Sequence, residues 1–278
     1  MEKGLTARPS VALQLRISDS LVVPQYLEQT YWWAYLHPNG VRFFERQWLV
    51  NLILWGNFAR LRDAALTEMG TTIEGRTLQV ACVYGDFTPR MADRLTQGAQ
   101  LDVVDVAPVQ LENLKRKLKN GMNVHLHHQD STALAFQDGE FDNVVLFFLL
   151  HEQPDDVREK TVREAMRVVK PGGRVIFVDY HRPSVFNPFR YIMIPILFLL
   201  EPFALDLWGQ EIVSWAEKYC ADNRSAGGQA ALKSIRKDTF FGGLYQKVVL
   251  ERAPSNTSAH ATGTLSTSDQ QDQNVPTA

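Results

Sequence analysis

A chain of 278 residues with 45% apolar side chains suits one large α/β core with additions at both ends. Its net charge of −2 is spread without a basic face, which argues against nucleic acid as a partner. The two cysteines, Cys82 and Cys220, stand far apart, the usage of a reducing compartment rather than of a disulfide framework.

Residues 1–20 mix charges of both signs with no apolar run, which fits a flexible N-terminus and not a secretory signal. Residues 21–76 are predicted to form a helical cap rich in aromatics. It carries Tyr26, Tyr31, Trp32, Trp33 and Tyr35, then Phe43, Phe44, Trp48, Trp55 and Phe58 after the turn His37-Pro38-Asn39-Gly40. At Thr77 the pattern changes to short apolar runs alternating with amphipathic stretches. The runs 78–83, 101–104, 124–126, 144–150 and 175–178 read as buried strands of a mostly parallel sheet with helices on both faces. Thr88-Pro89 is predicted to cap and open one helix. Pro108 opens a second on Leu111, Leu114 and Leu118, with a basic last turn (Lys115, Arg116, Lys117, Lys119) and a stop at Asn120-Gly121. A third sets Val157, Thr161, Ala165 and Val168 on one face and ends at Lys170-Pro171-Gly172-Gly173.

The stretch 191–208 has membrane character, but Pro195, Glu201, Pro202 and Asp206 interrupt it, short of the roughly 20 apolar residues a spanning helix needs. With Arg182 and Arg190 before it and Trp208 and Trp215 beyond, it reads as an interfacial helix; the competing expectation is a lid over the core. The last strands, 234–240 and 244–250, join through Gly242-Gly243. Residues 77–252 therefore read as one Rossmann-like domain with a seven-stranded sheet and an apolar insertion at about 184–217. The range 253–278, nearly free of large apolar residues, reads as a disordered tail.

In an open parallel sheet the ligand lies beyond the carboxyl ends of the strands, where the topology switches direction. The first strand leads into a turn carrying Gln79, Cys82, Tyr84, Gly85 and Asp86 as cofactor-binding candidates. Asp105 follows about 20 residues on, placed to accept hydrogen bonds from ribose hydroxyls, and Asp130-Ser131 follows the third run at the adenine edge. The fourth run ends in Phe147 to Glu152 and the fifth in Asp179-Tyr180-His181. One acid after one strand is only a turn; the same order after successive strands, closed by Pro171-Gly172-Gly173, marks a cofactor site. His125, His127 and His128 read as a solvated strand end, with His125 and His127 on one face.

The stretch 79–88 resembles the first motif of the ubiquinone and menaquinone C-methyltransferases, and Asp105, Asp130-Ser131, Phe136, Phe141-Asp142 and Pro171-Gly172-Gly173 match further positions. This implies a class I methyltransferase fold holding S-adenosylmethionine. Two departures stand out. Gln79 replaces the acid that helps hold the methionine amino group, and Cys82-Val83-Tyr84 replaces glycines that let backbone approach the cofactor. With Tyr31-Trp32-Trp33-Ala34-Tyr35-Leu36, Asp206-Leu207-Trp208 and Phe241-Gly242-Gly243-Leu244-Tyr245-Gln246-Lys247, the altered turn resembles the rhodoquinone biosynthesis family known as RquA, over residues 24–252.

That resemblance implies conversion of ubiquinone to rhodoquinone, an amino group replacing a ring methoxy group, with S-adenosylmethionine as amino donor and manganese (Mn2+) required. It also implies a lipid substrate and a membrane surface as partner. The expected place is the inner face of the cytoplasmic membrane in a bacterium, or the mitochondrial inner membrane in a eukaryote. His151, Glu152, Asp179 and His181 are the catalytic and metal-ligand candidates, with Asp86 weaker. None forms a recognised metal motif by spacing, and Glu152 and Asp179 read equally as caps. Loss of the carboxylate at Gln79 removes a partner of the ammonium form and favours the free amine. Two other readings stand beside this one: a methyltransferase of a quinone or other lipid-like acceptor, and a non-catalytic membrane-associated assembly factor.

Overall fold

The computed structural model describes residues 14–18 and 21–254. The predicted tail lies outside the described residues from 255 onward, and so do residues 1–13, 19 and 20. Eight strands form one sheet: β1 (Gln14–Arg16), β2 (Arg76–Val80), β3 (Gln100–Asp105), β4 (Val124–His128), β5 (Phe141–Phe147), β6 (Val169–Tyr180), β7 (Leu232–Phe240) and β8 (Tyr245–Arg252). Their order is β1-β4-β3-β2-β5-β6-β8-β7. All neighbours are parallel except β8, which runs antiparallel to β6 and to β7. Strands β2 to β8 make the expected seven-stranded class I methyltransferase sheet. The eighth is a correction: Gln14–Arg16, expected in a flexible terminus, pairs with His125, Leu126 and His127 at the edge.

Alternation along each strand divides the core into two layers. Val145, Phe147, Ile176 and Val178 face one layer, built with α4 (Phe58–Met69), α5 (Phe87–Ala92) and α6 (Pro108–Lys117). Leu78, Val80, Val144, Leu146, Val175 and Phe177 face the other, built with α7 (Asp155–Val168) and α10 (Ile212–Ser225). Each fully buried side chain of this size contributes about 1.5–3 kcal/mol, which is why both faces must be covered. The helical cap adds α1 (Gln25–Thr30), a π-helical turn at Trp32–Leu36, α2 (Pro38–Phe44) and α3 (Gln47–Ile53).

Three boundaries differ from the sequence reading. β2 stops at Val80, not residue 83, because Ala81 adopts φ 69° and turns the chain out of the sheet. Thr88 is not the cap of α5, which begins at Phe87; its hydroxyl donates to Gln79 Oε1 at 2.8 Å. Lys170 to Gly173 lie within β6, where the pairing with β5 shifts register.

The insertion forms α8 (Phe189–Leu200) and α9 (Pro202–Leu207) before α10. Met193 and Leu197 of α8 are buried, whereas Tyr191, Phe198 and Leu199 are exposed. Trp208 and Trp215, expected at an interface, pack against the core instead. No helix among the described residues is long and apolar enough to cross a membrane.

Arg158 of α7, fully buried, ties this insertion to the sheet. Its guanidinium donates to Leu150 O at 2.7 Å, to Asp155 at 2.7 Å and to Phe203 O on α9. Replacing it strands two carbonyls, so Arg158→Met is expected to cost about 2–4 kcal/mol, read as a lowered urea midpoint.

Candidate functional site

Two cavities open at the carboxyl ends of β2, β3 and β5, where the strand order reverses. The first, of about 640 Å³ including its mouth, is lined by Ala81, Cys82, Asp105, Gln110, Asp130 and Ser131. The second, of about 760 Å³, is mostly aromatic and apolar, with Phe44, Phe58, Phe147 and Tyr180 in its wall and His151, Glu152 and Glu201 as its ionisable groups. Tyr35, Cys82, Phe148 and Glu152 line both, so the two cavities meet there.

Asp105, the last residue of β3, lines the first cavity. Its oxygens accept from the amides of Cys82 at 2.7 Å and Ala107 at 2.8 Å, which bind the end of β3 to the turn after β2. Burial lifts its carboxyl, the two amides oppose this, and the net is about 6. Asp130 accepts from the amide and hydroxyl of Thr132, which fixes its own turn. Ser131 is held by Thr161 and Gln153. These three residues, with Cys82, line the first cavity.

The rest of the turn does not. Gln79 is fully buried and reaches neither cavity: its amide donates to Ala81 O at 2.8 Å and accepts from Thr88. Tyr84, read as filling cofactor space, points the other way and lines the second cavity. Its hydroxyl donates to Ala34 O at 2.6 Å and accepts from Gln110, while its ring stacks on Tyr35. Gly85, at φ 80°, packs against the cap, where a Cβ would sit 2.9 Å from Phe58. Asp86 is paired with Arg62 and Arg90 and lines neither cavity. Phe147 stacks on Phe87 with centroids 4.4 Å apart and lines the second cavity, not the first.

The turn is clamped by a half-buried ion pair. Lys117, read as part of a basic last turn, donates to both Glu45 oxygens at 2.9 Å and to the carbonyls of Val83 and Gly85. Glu45 in turn accepts from the Gly85 amide.

Of the catalytic candidates, His151 and Glu152 lie on the second cavity in a 3₁₀ turn, Leu150–Glu152. Asp179 lies behind them: it accepts from His151 Nδ1 at 2.9 Å and from the amides of Leu149, Leu150 and Tyr180. Burial depresses His151, but the Asp179 carboxylate, with Glu201 and Glu152, outweighs it and brings the imidazole to about 9. Glu152 is pushed well above the carboxylate range by burial, partly offset by His151. His181 is separate, its Nδ1 bound to Gly243 O at 2.8 Å, and its basicity is lowered by burial.

These four residues do not fit a manganese site. Asp179 has spent its oxygens on four donors and His181 faces β8. Among the described residues no three His, Cys, Asp or Glu side chains come together to hold a metal ion. The histidine cluster is also not a solvated strand end: His127 is buried against Asp102 at 2.7 Å, and His128 bonds Val106 O.

Sequence reasoning missed Tyr35, Gln110, Phe148 and Glu201. Phe148 takes φ 55° at the end of β5, so it leaves the strand alternation and turns into both cavities. Glu201 registered only as an interruption of an apolar run.

Residues 77–173 match the family model described as a methyltransferase domain. The sheet has the class I methyltransferase fold. The matched range runs from β2 into β6 and includes Asp105 and Asp130. The demethylmenaquinone methyltransferase of Staphylococcus saprophyticus is 32% identical over 136 residues, covering 49% of this chain and 58% of the relative. That of Bacillus subtilis is 26% identical over 204 residues, covering 70% of this chain and 86% of its own. An S-adenosylmethionine-dependent methyltransferase from Methanosarcina mazei superposes with a TM-score of 0.48 at 15% identity, over 68% of this chain and 97% of its own.

The methyltransferase domain so placed has a pH-dependent stability. Asp105 is raised from an ordinary 3.8 to about 6, so the folded state holds a proton the unfolded state has released. Stability is thus lost as pH rises from about 4 to 6, on the order of 2–3 kcal/mol. Asp86, Asp102 and Asp142 are held low by their partners and act below this window, with the opposite sign. Urea midpoints from pH 4 to 7 are expected to fall more steeply in the wild-type chain than in Asp105→Asn.

Proposed function

We propose that this protein modifies the ring of a polyprenyl quinone with S-adenosylmethionine, and that on ubiquinone it exchanges a ring methoxy group for an amino group. The nucleotide occupies the first cavity on Asp105 and Asp130, and the quinone ring occupies the aromatic cavity. S-adenosylmethionine supplies the nitrogen. Its α-amino group adds to the ring carbon as the methoxy group leaves as methanol. The donor's Cα–N bond then breaks with loss of a Cβ proton, leaving the amino group on the ring and an unsaturated acid on the sulfonium. The observation that carries the reading is Glu152, a carboxyl raised well above its usual range where the two cavities meet. An α-amino group titrates near 8, so a carboxyl with raised proton affinity can take its proton and free the lone pair. Gln79 works in the same direction, since a neutral amide spent on Thr88 and Ala81 offers the ammonium no counter-charge. Protonated His151 stands on the acceptor side, where a cation polarises a quinone carbonyl. Manganese, implied by the resemblance to the rhodoquinone biosynthesis family, enters the assay as a variable and not as a step.

The nearest alternative is methyl transfer to a quinone-type acceptor, favoured by the likeness to demethylmenaquinone methyltransferases. Incubation with ubiquinone and S-adenosylmethionine labelled with nitrogen-15, with and without manganese, separates the two. Nitrogen-15 in the quinone is expected; a methylated ring, or no product under either condition, would refute amino transfer.

The same reading calls for a lipid surface. Trp48, Leu52 and Trp55 of the cap and Phe186, Tyr191, Phe198 and Leu199 of the insertion are exposed, with Phe186 92% accessible. Trp55 joins the two groups, its ring 5.1 Å from Phe189 and its indole N–H directed at Met193 Sδ at 3.0 Å. Arg42, Arg46 and Arg182, in the same two segments of the chain, are exposed and suit contact with anionic headgroups. Flotation with anionic liposomes is expected to carry the wild-type protein and to leave the triple variant Ile192→Ser, Ile196→Ser, Phe198→Ser behind.

A further inference from the structure

We propose that Glu201 is the polar anchor of the acceptor ring, its carboxyl hydrogen-bonded to a ring carbonyl oxygen of the quinone-type substrate. This inference rests on the acceptor reading above and adds to it the group that orients the ring.

Glu201 closes the most apolar stretch of the chain, Phe198-Leu199-Leu200-Glu201-Pro202, between α8 and α9. The ordinary task of an acid at such a junction is to cap the following helix. Glu201 holds the N-cap position of α9 but makes no side-chain capping bond. Its backbone is fully used, with its amide on Leu197 O at 2.7 Å and its carbonyl accepting from Ala204 N. The side chain instead lines the aromatic cavity, and Oε2 is buried with no hydrogen-bond partner among the described residues. A buried oxygen left in that state costs about 1–3 kcal/mol, which a ligand in the cavity would relieve.

The surroundings fix which ligand atom suits it. Burial pushes the Glu201 carboxyl up, His151 and the Tyr31 hydroxyl oppose this, the Asp179 charge adds to the rise, and the net favours its neutral form. A neutral carboxyl presents an O–H donor, and the complementary atom on a flat apolar ring is a carbonyl oxygen. The Tyr31 hydroxyl, which also makes no well-formed hydrogen bond, is the hydrogen-bonding neighbour of Glu201, so the two together offer polar atoms to a ligand; Tyr35, Glu152 and Tyr180 complete the polar surroundings. Position is set by Arg158, which holds Leu150 O under the His151 turn and Phe203 O, two residues beyond Glu201. Glu201 lines the second cavity and not the first, so the inference separates acceptor binding from nucleotide binding.

The test compares Glu201→Gln and Glu201→Leu in the full chain. A short-tail ubiquinone is titrated by tryptophan quenching, alongside an analogue of equal tail whose ring has methoxy groups in place of both carbonyls. S-adenosylmethionine is titrated by calorimetry. Glu201→Gln, which retains an N–H donor, is expected to bind the quinone within about threefold of wild type, and Glu201→Leu at least tenfold more weakly. Both variants should bind S-adenosylmethionine as wild type does, which also certifies that they fold. The carbonyl-free analogue should bind Glu201→Leu and wild type equally. Unchanged quinone affinity in Glu201→Leu overturns the inference, as does an equal loss for quinone and analogue, since the residue then only packs. If the wild-type chain binds no quinone, the acceptor reading itself falls and takes this contact with it.

Discussion

The Asp179 carboxylate is the interaction on which the rest of the site depends. It sits at the end of β6 and accepts from the amides of Leu149 and Leu150, from its neighbour Tyr180 and from His151. A carboxylate satisfied by four donors is rigid, and it clamps the turn after β5 to the adjacent strand. That clamp fixes the direction of His151 and Glu152, and hence the place where the two cavities join. The same bond keeps a proton on a buried imidazole that burial alone would neutralise.

A second clamp explains how a turn without the usual glycines survives. Glycine lets this loop lie flat on a cofactor, but here Ala81 accepts a left-handed conformation, at a cost of roughly 1–2 kcal/mol. Val83 and Tyr84 are then directed into the cap. Lys117 and Glu45 hold the loop's carbonyls and the Gly85 amide, and Tyr84 is stacked on Tyr35 and bonded to Ala34 O. The aromatic cap is therefore part of the support of the turn after β2, and the same residues line the second cavity.

The sheet and its ligand end were legible because continuous apolar runs, helix punctuation and acids after successive strands are local patterns. Asp105, Asp130 and Cys82 could be placed that way. The orientation of Tyr84, Phe147 and Gln79 could not, because it depends on partners dozens of residues away, such as Ala34 for Tyr84. Asp179 and His181 looked alike as polar residues after β6. Two positions along an extended strand share a face, but His181 leaves the strand to bond Gly243 O while Asp179 turns under the neighbouring loop. β1 was missed because three residues carry no period.

The insertion brings two opposed requirements together in one short segment. Its outer side, with Phe186 and Leu199, is as apolar as a soluble protein tolerates, and its inner side buries Met193 and Leu197 on the core. An unpaired acid at the end of such a helix would be excluded by desolvation unless something in the cavity met it. Arg158 does not neutralise Glu201; it spends its donors on Leu150 O, Phe203 O and Asp155. Burial raises the Glu201 carboxyl and His151, which lines the same cavity, opposes that rise. A carboxyl and a protonated imidazole in the wall of one aromatic space can both meet a flat ring that carries polar atoms at its edges. A para-quinone has that shape, which is why the proposed acceptor fits this cavity better than a purely hydrocarbon one.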